Sequence, residues 1–323
     1  MTGTVRAQPG FPGMAISDET TVARTGGQET RSQTVWLVCN AASGSNNQAA
    51  VRAVREALAE AGLDLAKVVP FPDESLPGPE LLASNGVDIL AVFGGDGTIH
   101  SAIETATEKD ATPQWRGAVL PLPGGTMNML SKRLHGDVPA PEIVARLGSA
   151  PPRRVRPPVI QTSKGIALTG VLAGPGAVWN EVREAMRAMD VIQFVNSARE
   201  AIVQSASGPK VLCDPVDGGR EEGYAAITVT PRDDGLETKG YYAETLGDYA
   251  GQGIALLNRD YRQGPHDHLG RHGKVRLFCP EGEPMGMLID GEPFDGGSEE
   301  LFETVPCAVE LIATASPGPD DAR

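Results

Sequence analysis

The chain lacks the long hydrophobic runs that membrane-spanning proteins need. None of its windows reaches the ~18 consecutive apolar residues of a transmembrane helix, and its amino terminus has no basic segment followed by an apolar one, as a secretory signal would. Cysteine is also scarce, because the chain has only four, each in or beside an apolar run and none in a CxxC pair. Such cysteines are typical of small buried side chains. We therefore expect a reduced, cytoplasmic protein.

Positive charge is in the minority. The chain has 28 Lys and Arg residues against 42 Asp and Glu residues, which gives a net charge of −14. This balance excludes nucleic acid as the expected partner and argues against strong electrostatic adsorption to anionic lipid. The sequence also lacks the GxxxxGKS/T phosphate loop. The short Gly174-Pro175-Gly176 lacks the third glycine of a dinucleotide loop, so we interpret it as a turn before a helix.

Apolar runs alternate with helix-like segments from Val35 onward. The predicted elements are strands at 35–39, 67–69, 87–93 and 117–122 and helices at 46–61, 97–108 and 126–134. Such alternation predicts a Rossmann-like α/β domain, in which a parallel sheet carries helices on both faces. Ligands of such sheets bind at the carboxyl ends of the strands.

The pattern changes beyond a proline-rich stretch at residues 150–158, where proline blocks both a helix and a central strand. The strands predicted there are 165–173, 210–213, 224–230, 239–243, 274–279, 285–290 and 307–313, with helices at 177–204 and 246–258. This pattern predicts a β-sandwich-like second domain. The predicted division is a disordered tail at 1–33, an α/β nucleotide-binding domain at 34–149, a β-rich substrate domain at 150–313 and a flexible tail at 314–323.

Two glycine clusters directly follow two of the predicted strands. GGDGT occupies residues 94–98, and PGGTMN occupies residues 123–128. Glycine lets the backbone approach a ligand closely, and the helix after each cluster presents free N–H groups to an anion. Two such loops at one edge of the sheet would cradle a polyphosphate. The carboxylate of Asp96 lies in the first loop, where a magnesium ligand or a proton acceptor would meet a phosphoryl group.

Four motifs together resemble the diacylglycerol kinase catalytic domain, which lipid kinases of bacteria and eukaryotes share with sphingosine kinases. The first is NAASG at residues 40–44, against Asn-Pro-x-Ser-Gly in the family. The two glycine loops are the second and third, and Asp290-Gly291-Glu292 is the fourth. Their order and spacing are those of the family, and the resemblance extends from about residue 35 to about residue 313.

The resemblance implies an active cleft between a nucleotide-binding domain and a β-rich domain. It implies that ATP is bound by a set of residues from the first three motifs: Asn40, Ser43, Gly44, Gly94, Gly95, Gly97, Thr98, Gly125, Thr126 and Asn128. It also implies catalytic roles for Asp96, Asp290 and Glu292, with magnesium on Asp96 and Glu292. On local grounds alone, the Asp-Gly pair at 290–291 is equally well explained as a hairpin turn.

The chain departs from the family pattern at a few positions. Ala41 replaces a proline, His100 stands where Asn is common, and Ser101 stands where the family usually has Glu. Ser101 therefore leaves open a catalytically weak regulator that binds nucleotide or lipid. GGDGT also occurs in NAD kinases, which leaves an NAD-kinase-like phosphotransferase as a second alternative.

Two further polar clusters have simple explanations. Asp233 and Asp234 resemble a family segment near which some members bind a structural magnesium, but we interpret them as a solvated turn. His266, His268 and His272 have the chemistry of metal ligands, yet they lie in a polar stretch that we interpret as a solvated loop.

We therefore predict a two-domain lipid kinase with ATP and magnesium as cofactors. It would phosphorylate a hydroxyl group of a lipid such as diacylglycerol in the cleft between the domains. The expected partners are ATP and a lipid or lipid-like alcohol. Transient contact with a membrane surface and a homodimer both stay open.

Overall fold

The computed structural model describes residues 32–40, 48–107, 114–149, 152–175, 210–241 and 266–315. The helices predicted at 177–204 and 246–258 lie outside the described residues, as does nearly all of the tail predicted at 1–33. The described residues belong to one compact unit that begins at Ser32. None of the helices in these ranges is long and apolar enough to cross a membrane.

The first sheet has six strands in the order β2-β1-β3-β4-β17-β5. Its strands are β1 (Thr34–Asn40), β2 (Asp64–Phe71), β3 (Ile89–Gly94), β4 (Ala118–Pro123), β5 (Arg153–Val155) and β17 (Glu310–Ala313). The first four strands and β17 are parallel, and β5 pairs with β17 in the antiparallel sense. The carboxyl ends of β1, β3 and β4 therefore lie together at one edge of the sheet.

Helices cover both faces of this sheet because its strands are apolar on both sides. The helices are α1 (Gln48–Glu60), α2 (Pro79–Ser84), α3 (Asp96–Ala106), α4 (Met129–His135) and α5 (Ala140–Ser149). Val38 packs on the face of α3 and α4, whereas its neighbour Leu37 packs on the face of α1 and α5. Burial on both faces is what a parallel sheet requires. We call the first sheet and these helices the first lobe.

Two antiparallel sheets form the second lobe. One has the order β12-β11-β10-β8-β14-β15 and the other has the order β7-β6-β16-β13-β9. The strands are β6 (Pro158–Thr162), β7 (Gly165–Ala167), β8 (Val171–Pro175), β9 (Leu212–Asp214), β10 (Ala226–Arg232), β11 (Gly235–Tyr241), β12 (His266–His272), β13 (Lys274–Phe278), β14 (Met285–Ile289), β15 (Glu292–Asp295) and β16 (Glu299–Pro306). Ile160, Val275 and Phe302 of one sheet pack against Val171, Ile227 and Met287 of the other.

The predicted fold class is confirmed: a parallel α/β region precedes an antiparallel β region. The domain boundaries stay a prediction. However, strands from both sides of the boundary predicted near residue 150 belong to the same sheet. Strands β5 and β17 both belong to the first sheet, because Leu311 pairs with Val119 on one side and with Val155 on the other.

Three local expectations in the second lobe were wrong. The histidine-rich stretch is strand β12 and not a loop, because it pairs with β11 along its length. Gly174 lies inside β8 and pairs with Gly286, so it does not form a turn. The strand predicted at 165–173 is interrupted at residues 168–170, and a carboxylate from elsewhere binds the backbone there.

Two features of the first lobe also differ from expectation. Helices α2 and α5 were not predicted from the sequence. Thr314 and Ala315, predicted to begin a flexible tail, both donate backbone hydrogen bonds to the carbonyl of Leu134 at 3.1 Å. The carboxyl-terminal strand is therefore fastened to the end of α4.

Candidate active site

The first glycine loop joins the end of β3 to the start of α3. Gly95 precedes the helix with extended backbone angles, φ −78° and ψ 174°, and the helix begins at Asp96. A Cβ on Gly94 would lie 2.8 Å from the Thr98 side chain, so only glycine fits there. Asn40, at the end of β1, donates a hydrogen bond from Nδ2 to Thr98 Oγ1 at 2.7 Å. The loop thus leaves the first-turn N–H groups of α3 without helical partners at the strand ends.

The second glycine loop packs directly against the first. A Cβ on Gly125 would lie only 2.5 Å from the Cα of Gly95, and the N–H of Gly124 donates to the carbonyl of Gly94 at 2.9 Å. Asn128 has a left-handed backbone conformation, with φ 50°, and its side chain fixes the shape of the loop. Its Oδ1 accepts from the Gly125 N–H, and its Nδ2 donates to the Gly125 carbonyl, both at 2.8 Å. The glycines are therefore needed for loop-to-loop contact.

Asp96 joins the two loops. Its carboxylate accepts hydrogen bonds from the backbone N–H groups of Met129 at 3.0 Å and Leu130 at 3.2 Å, at the start of α4. Burial raises the pKa of Asp96 above its ordinary value, and the charge of Asp290 adds to this, although the backbone hydrogen bonds oppose it. The late Asp-Gly-Glu motif lies beside the first loop, since a Cβ on Gly97 would be 3.4 Å from Oε1 of Glu292.

The Asp-Gly-Glu motif is a tight hairpin between β14 and β15. Asp290 and Gly291 have φ values of 50° and 91°, and Ile289 pairs with Glu292 across the turn. Positive φ at both central residues is the signature of the turn that best matches the twist of two antiparallel strands. The local explanation of the motif as a turn and the expectation that it lies at the site are therefore compatible.

The Asp290 carboxylate is saturated with hydrogen-bond donors. Oδ1 accepts from the Thr169 N–H and Oγ1, both at 2.7 Å, and from the Gly170 N–H at 3.2 Å. Oδ2 accepts from the Leu168 N–H at 2.7 Å and faces Nδ1 of His100 at 3.2 Å. The side chain is only 5% exposed. Burial acts to raise its pKa, but the hydrogen bonds from His100, Leu168 and Thr169 outweigh it and lower the pKa.

His100 spans the two lobes. Its Nδ1 faces Asp290 and its Nε2 lies 3.2 Å from Oε1 of Glu104, one turn further along α3. The hydrogen bond with Asp290 raises the pKa of His100, and Glu104 adds to it, although burial opposes both. The sequence showed His100 only as a departure from the family pattern. Its spacing of four residues from Glu104 was the one signal that could have suggested an ion pair.

These elements border a cleft with a volume of about 570 Å³. Its polar wall is the first two turns of α3, from Gly97 to Glu104, and its apolar side chains include Ile166, Ile289 and Phe294. Glu292 reaches across from the second lobe, since a Cβ on Gly97 would lie 3.4 Å from its Oε1. Lys164, in the turn between β6 and β7, also lines the cleft.

The predicted site residues thus divide into two groups. Those that line the cleft are Asn40, Gly97, Thr98, Asp290 and Glu292. Those that form the loops around it are Gly94, Gly95, Asp96, Gly125 and Asn128, together with the exposed Thr126. Ser43 and Gly44 lie outside the described residues. His100, Ser101, Glu104 and Lys164 line the cleft but were not predicted as site residues.

The oxygen chemistry of the cleft fits magnesium. Glu292 is exposed at the mouth of the first loop, and its carboxylate has no hydrogen-bond partner among the described residues, whereas the oxygens of Asp96 already accept two backbone hydrogen bonds. The described residues contain no cluster of three or more potential metal ligands. Magnesium commonly binds one or two carboxylates and takes its remaining ligands from phosphates and water. The carboxylates present therefore suit a metal that arrives with a nucleotide.

Comparison with known families identifies the region that carries the glycine loops. Residues 34–156 match the model of the diacylglycerol kinase catalytic domain. This part of the chain is similar to the catalytic domain of that family. The resemblance drawn from the four motifs is therefore confirmed, and the family is one of lipid kinases. No curated protein is similar enough to this chain to count as a match.

Solved structures share the fold of this chain. A diacylglycerol kinase from Bacillus anthracis str. Sterne is 18% identical, with a TM-score of 0.56 over 87% of this chain and 96% of that one. A proposed diacylglycerol kinase from the same organism is also 18% identical, with a TM-score of 0.58 over 88% of this chain and 98% of that one. At this identity the likeness shows the fold, which extends through both lobes.

Proposed function

We propose that this protein transfers the γ-phosphoryl group of ATP to a hydroxyl of a lipid such as diacylglycerol, in the cleft between its two lobes. The observation that carries the proposal is the position of Glu292. A carboxylate from the second lobe stands opposite the first turn of α3, at the mouth of a loop built for close approach to an anion. The family match supports the reaction class at a coarser level.

The two glycine loops would hold the phosphates of ATP. The N–H groups at the start of α3 have no helical partners, and the helix dipole favours negative charge there. Asn40 orients the Thr98 hydroxyl through a hydrogen bond of 2.7 Å, which places that hydroxyl at the same edge. Thr126 and the family-implied Ser43 and Gly44 would complete the nucleotide site.

Glu292 is the proposed proton acceptor for the attacking hydroxyl. A general base needs a free lone pair and access to the substrate. Glu292 is exposed in the cleft and has both, whereas the oxygens of Asp290 already face five hydrogen-bonding groups. We therefore propose that Asp290 holds the hairpin in place and that Asp96 holds the two glycine loops together. Both would contribute to catalysis by keeping these segments in position.

Magnesium would be held by one carboxylate oxygen of Glu292 and by Asp96, together with the nucleotide phosphates, and the second oxygen of Glu292 would then accept the proton. When bound, it would neutralise the charge on the transferring phosphoryl group. The chain's own residues have the remaining tasks of placing the phosphates on α3 and keeping the acceptor hydroxyl near Glu292.

The apolar side of the cleft favours a lipid-like acceptor. Phe71, Ile166, Ile289 and Phe294 all border it, next to the polar wall of α3. A hydroxyl attached to an acyl or isoprenoid chain matches such a surface, because the chain can cover apolar groups while the hydroxyl faces Glu292. Such an acceptor would be taken from a membrane surface, so we include transient contact with one in the proposal.

The test is ATP consumption with a panel of acceptors. Purified protein with magnesium and ATP should phosphorylate at least one of diacylglycerol, monoacylglycerol, sphingosine and undecaprenol, presented in mixed micelles. NAD as the sole productive acceptor would instead establish an NAD-kinase-like phosphotransferase. Tight nucleotide binding without turnover on any acceptor would contradict the kinase proposal and support a regulator, which the replacement of the family's Glu by Ser101 leaves open.

A further inference from the structure

His100 connects the helix of the first glycine loop to the hairpin that carries Glu292. Its two ring nitrogens face two carboxylates at equal distances of 3.2 Å, Asp290 in the second lobe and Glu104 on its own helix. With an acceptor on each side, the ring is best satisfied when both nitrogens carry protons. His100 then donates a hydrogen bond across the cleft to the carboxylate of Asp290.

Asp290 transmits this contact to the second lobe. Its oxygens hold the N–H groups of Leu168, Thr169 and Gly170, which form the break between β7 and β8. The same residue opens the tight turn that ends at Glu292, and strand β14, which leads into it, is hydrogen-bonded to β8. The carboxylate, the interrupted strand and the hairpin therefore form one connected unit.

The position of Glu292 depends on where this unit lies. Glu292 follows Asp290 by two residues through a tight turn with positive φ, so a displacement of the Asp290 backbone also displaces the backbone of Glu292. Its Oε1 comes close enough to Gly97 that a Cβ there would be 3.4 Å away. A shift of the hairpin by about 1 Å would alter that approach, and misplacement of this size can cost about 10²-fold in rate.

We propose that His100 is a positioning residue that sets the distance between Glu292 and the first turn of α3. The inference rests on the proposed function, since it concerns the group that would take the proton from the acceptor. His100 itself touches Asp290 and Glu104 and acts on the reaction only through the hairpin.

The fold does not depend on this contact alone. Arg133 of α4 also holds the same loop, because its Nη1 donates to the carbonyls of Leu168 and Pro158, both at 3.3 Å. The cleft also holds the charged groups of Glu104, Glu292 and Lys164. Loss of His100 should therefore loosen the hairpin without unfolding the second lobe, which makes the inference accessible to substitution.

Two substitutions separate the two contacts of the ring. In His100→Asn the side-chain amide takes the place of Nδ1 and can still donate to Asp290. In His100→Gln the amide nitrogen takes the place of Nε2, so it faces Glu104 and leaves Asp290 without this donor. Thr105→Ala is the control on the same helix, because within the described part of the chain that hydroxyl bonds to the helix's own Ser101 carbonyl alone, at 2.8 Å.

Steady-state kinetics should rank these variants by their contact with Asp290. We expect His100→Gln to lower kcat by about 10- to 100-fold with KM for ATP changed less than about 3-fold, since the loss is in orientation and not in binding. His100→Asn should retain kcat within about 3-fold, and Thr105→Ala should match the wild type. Equal losses in the Asn and Gln variants, or no loss in either, would overturn the inference.

Amide hydrogen exchange gives a readout that does not need turnover. His100→Gln should speed exchange in residues 168–170 and 288–293, while His100→Asn should not, and strands β11 and β12 should serve as internal references. Unchanged exchange in the Gln variant would refute the positioning role. A wild-type protein that phosphorylates no acceptor would refute the proposed function instead, and the exchange experiment would still decide the role of His100.

Discussion

The two sides of the cleft are built in different ways. On the first lobe, two glycine loops meet backbone to backbone, with a hypothetical Cβ of Gly125 only 2.5 Å from the Cα of Gly95. On the second lobe, a charged side chain does the corresponding work, because the Asp290 carboxylate gathers three consecutive N–H groups. The first-lobe side depends on glycines, which have no side chain, and the second-lobe side depends on the single buried side chain of Asp290. The two sides should therefore respond differently to substitution.

The same contrast appears within the hairpin. Asp290 and Glu292 lie two residues apart, yet Asp290 is buried and fully bonded while Glu292 is exposed in the cleft. A carboxylate held by several donors contributes to stability, and a free one beside a phosphate site is suited to chemistry. Substitution should separate the two roles.

The largest expected effect comes from Glu292. Glu292→Gln should lower kcat by about 10²- to 10⁴-fold, because the amide cannot accept the proton, while leaving the free energy of unfolding within about 0.5 kcal/mol. Enzyme assay and urea denaturation measure the two quantities. Glu281→Gln, an exposed acid in another turn of the same lobe, is the matched control and should change neither. A Glu292→Gln enzyme with wild-type turnover would contradict the assignment of the base.

Asp290→Asn should have the converse effect on stability. The amide replaces one acceptor oxygen with a donor that faces backbone N–H groups, so the free energy of unfolding should fall by about 3 kcal/mol. Urea denaturation followed by circular dichroism measures this. Turnover should also fall, but through the displaced hairpin. A loss below about 0.5 kcal/mol would show that the five contacts of Asp290 contribute little.

Gly125→Ala tests the backbone contact on the first lobe. The added Cβ would collide with Gly95, so we expect the free energy of unfolding to fall by about 2 kcal/mol and nucleotide affinity to fall with it. Calorimetry with ATP and thermal denaturation give the two values. Gly218→Ala is the control, because a Cβ at Gly218 meets nothing within 4 Å. Loss of affinity without loss of stability would mean that the glycine serves phosphate approach alone.

The smallest effect concerns His135, at the end of α4 behind the second glycine loop. Burial lowers its pKa from 6.5 to about 4. Between these values the unfolded chain binds a proton at this residue that the folded protein does not. As the pH drops from 6.5 to 5.5, His135 should therefore contribute a loss of stability of about 1 kcal/mol. The lowered pKa of Asp290 makes stability depend on pH only below about pH 3.8, the ordinary pKa of the group. Its stabilisation is lost in more acidic solution, as the pH falls through the folded-state pKa.

Urea denaturation as a function of pH measures the His135 contribution. His135→Gln removes the titrating group and should abolish this fall in stability. The contribution of His100 has the opposite sign and should remain, because the hydrogen bond with Asp290 raises its pKa. An equal slope in wild type and His135→Gln would show that another group accounts for the acid sensitivity.

Local sequence was sufficient for most of the first lobe and for the motifs. Alternating apolar runs predicted β1 to β4 and α1, α3 and α4, and the glycines at 94–98 and 123–128 predicted where β3 and β4 end, but α2, α5 and β5 were missed. These signals are local, since periodicity and turn chemistry act over a few residues. Short helices such as α2 have few residues to establish a period, which explains why it was missed.

The roles of individual carboxylates could not be predicted because they arise from distant contacts. Asp290 binds residues about 120 positions earlier in the chain, with separations of 120 to 122 residues to Gly170, Thr169 and Leu168. Likewise, no local pattern shows that β17 returns to pair with β4, or that the histidine-rich stretch pairs with β11. The family resemblance predicted that Asp290 and Glu292 lie at the site. Only their contacts in the structure distinguish the structural role of Asp290 from the proposed chemical role of Glu292.

The most direct test of the whole account is amide hydrogen exchange with and without a non-hydrolysable ATP analogue, adenylyl imidodiphosphate, and magnesium. The account predicts slower exchange in residues 95–99, 125–129 and 289–294 together, with strands β10 to β12 unchanged, because phosphate would be held between the glycine loops and Glu292. Protection confined to other parts of the chain, or none at saturating analogue, would contradict a nucleotide site in this cleft.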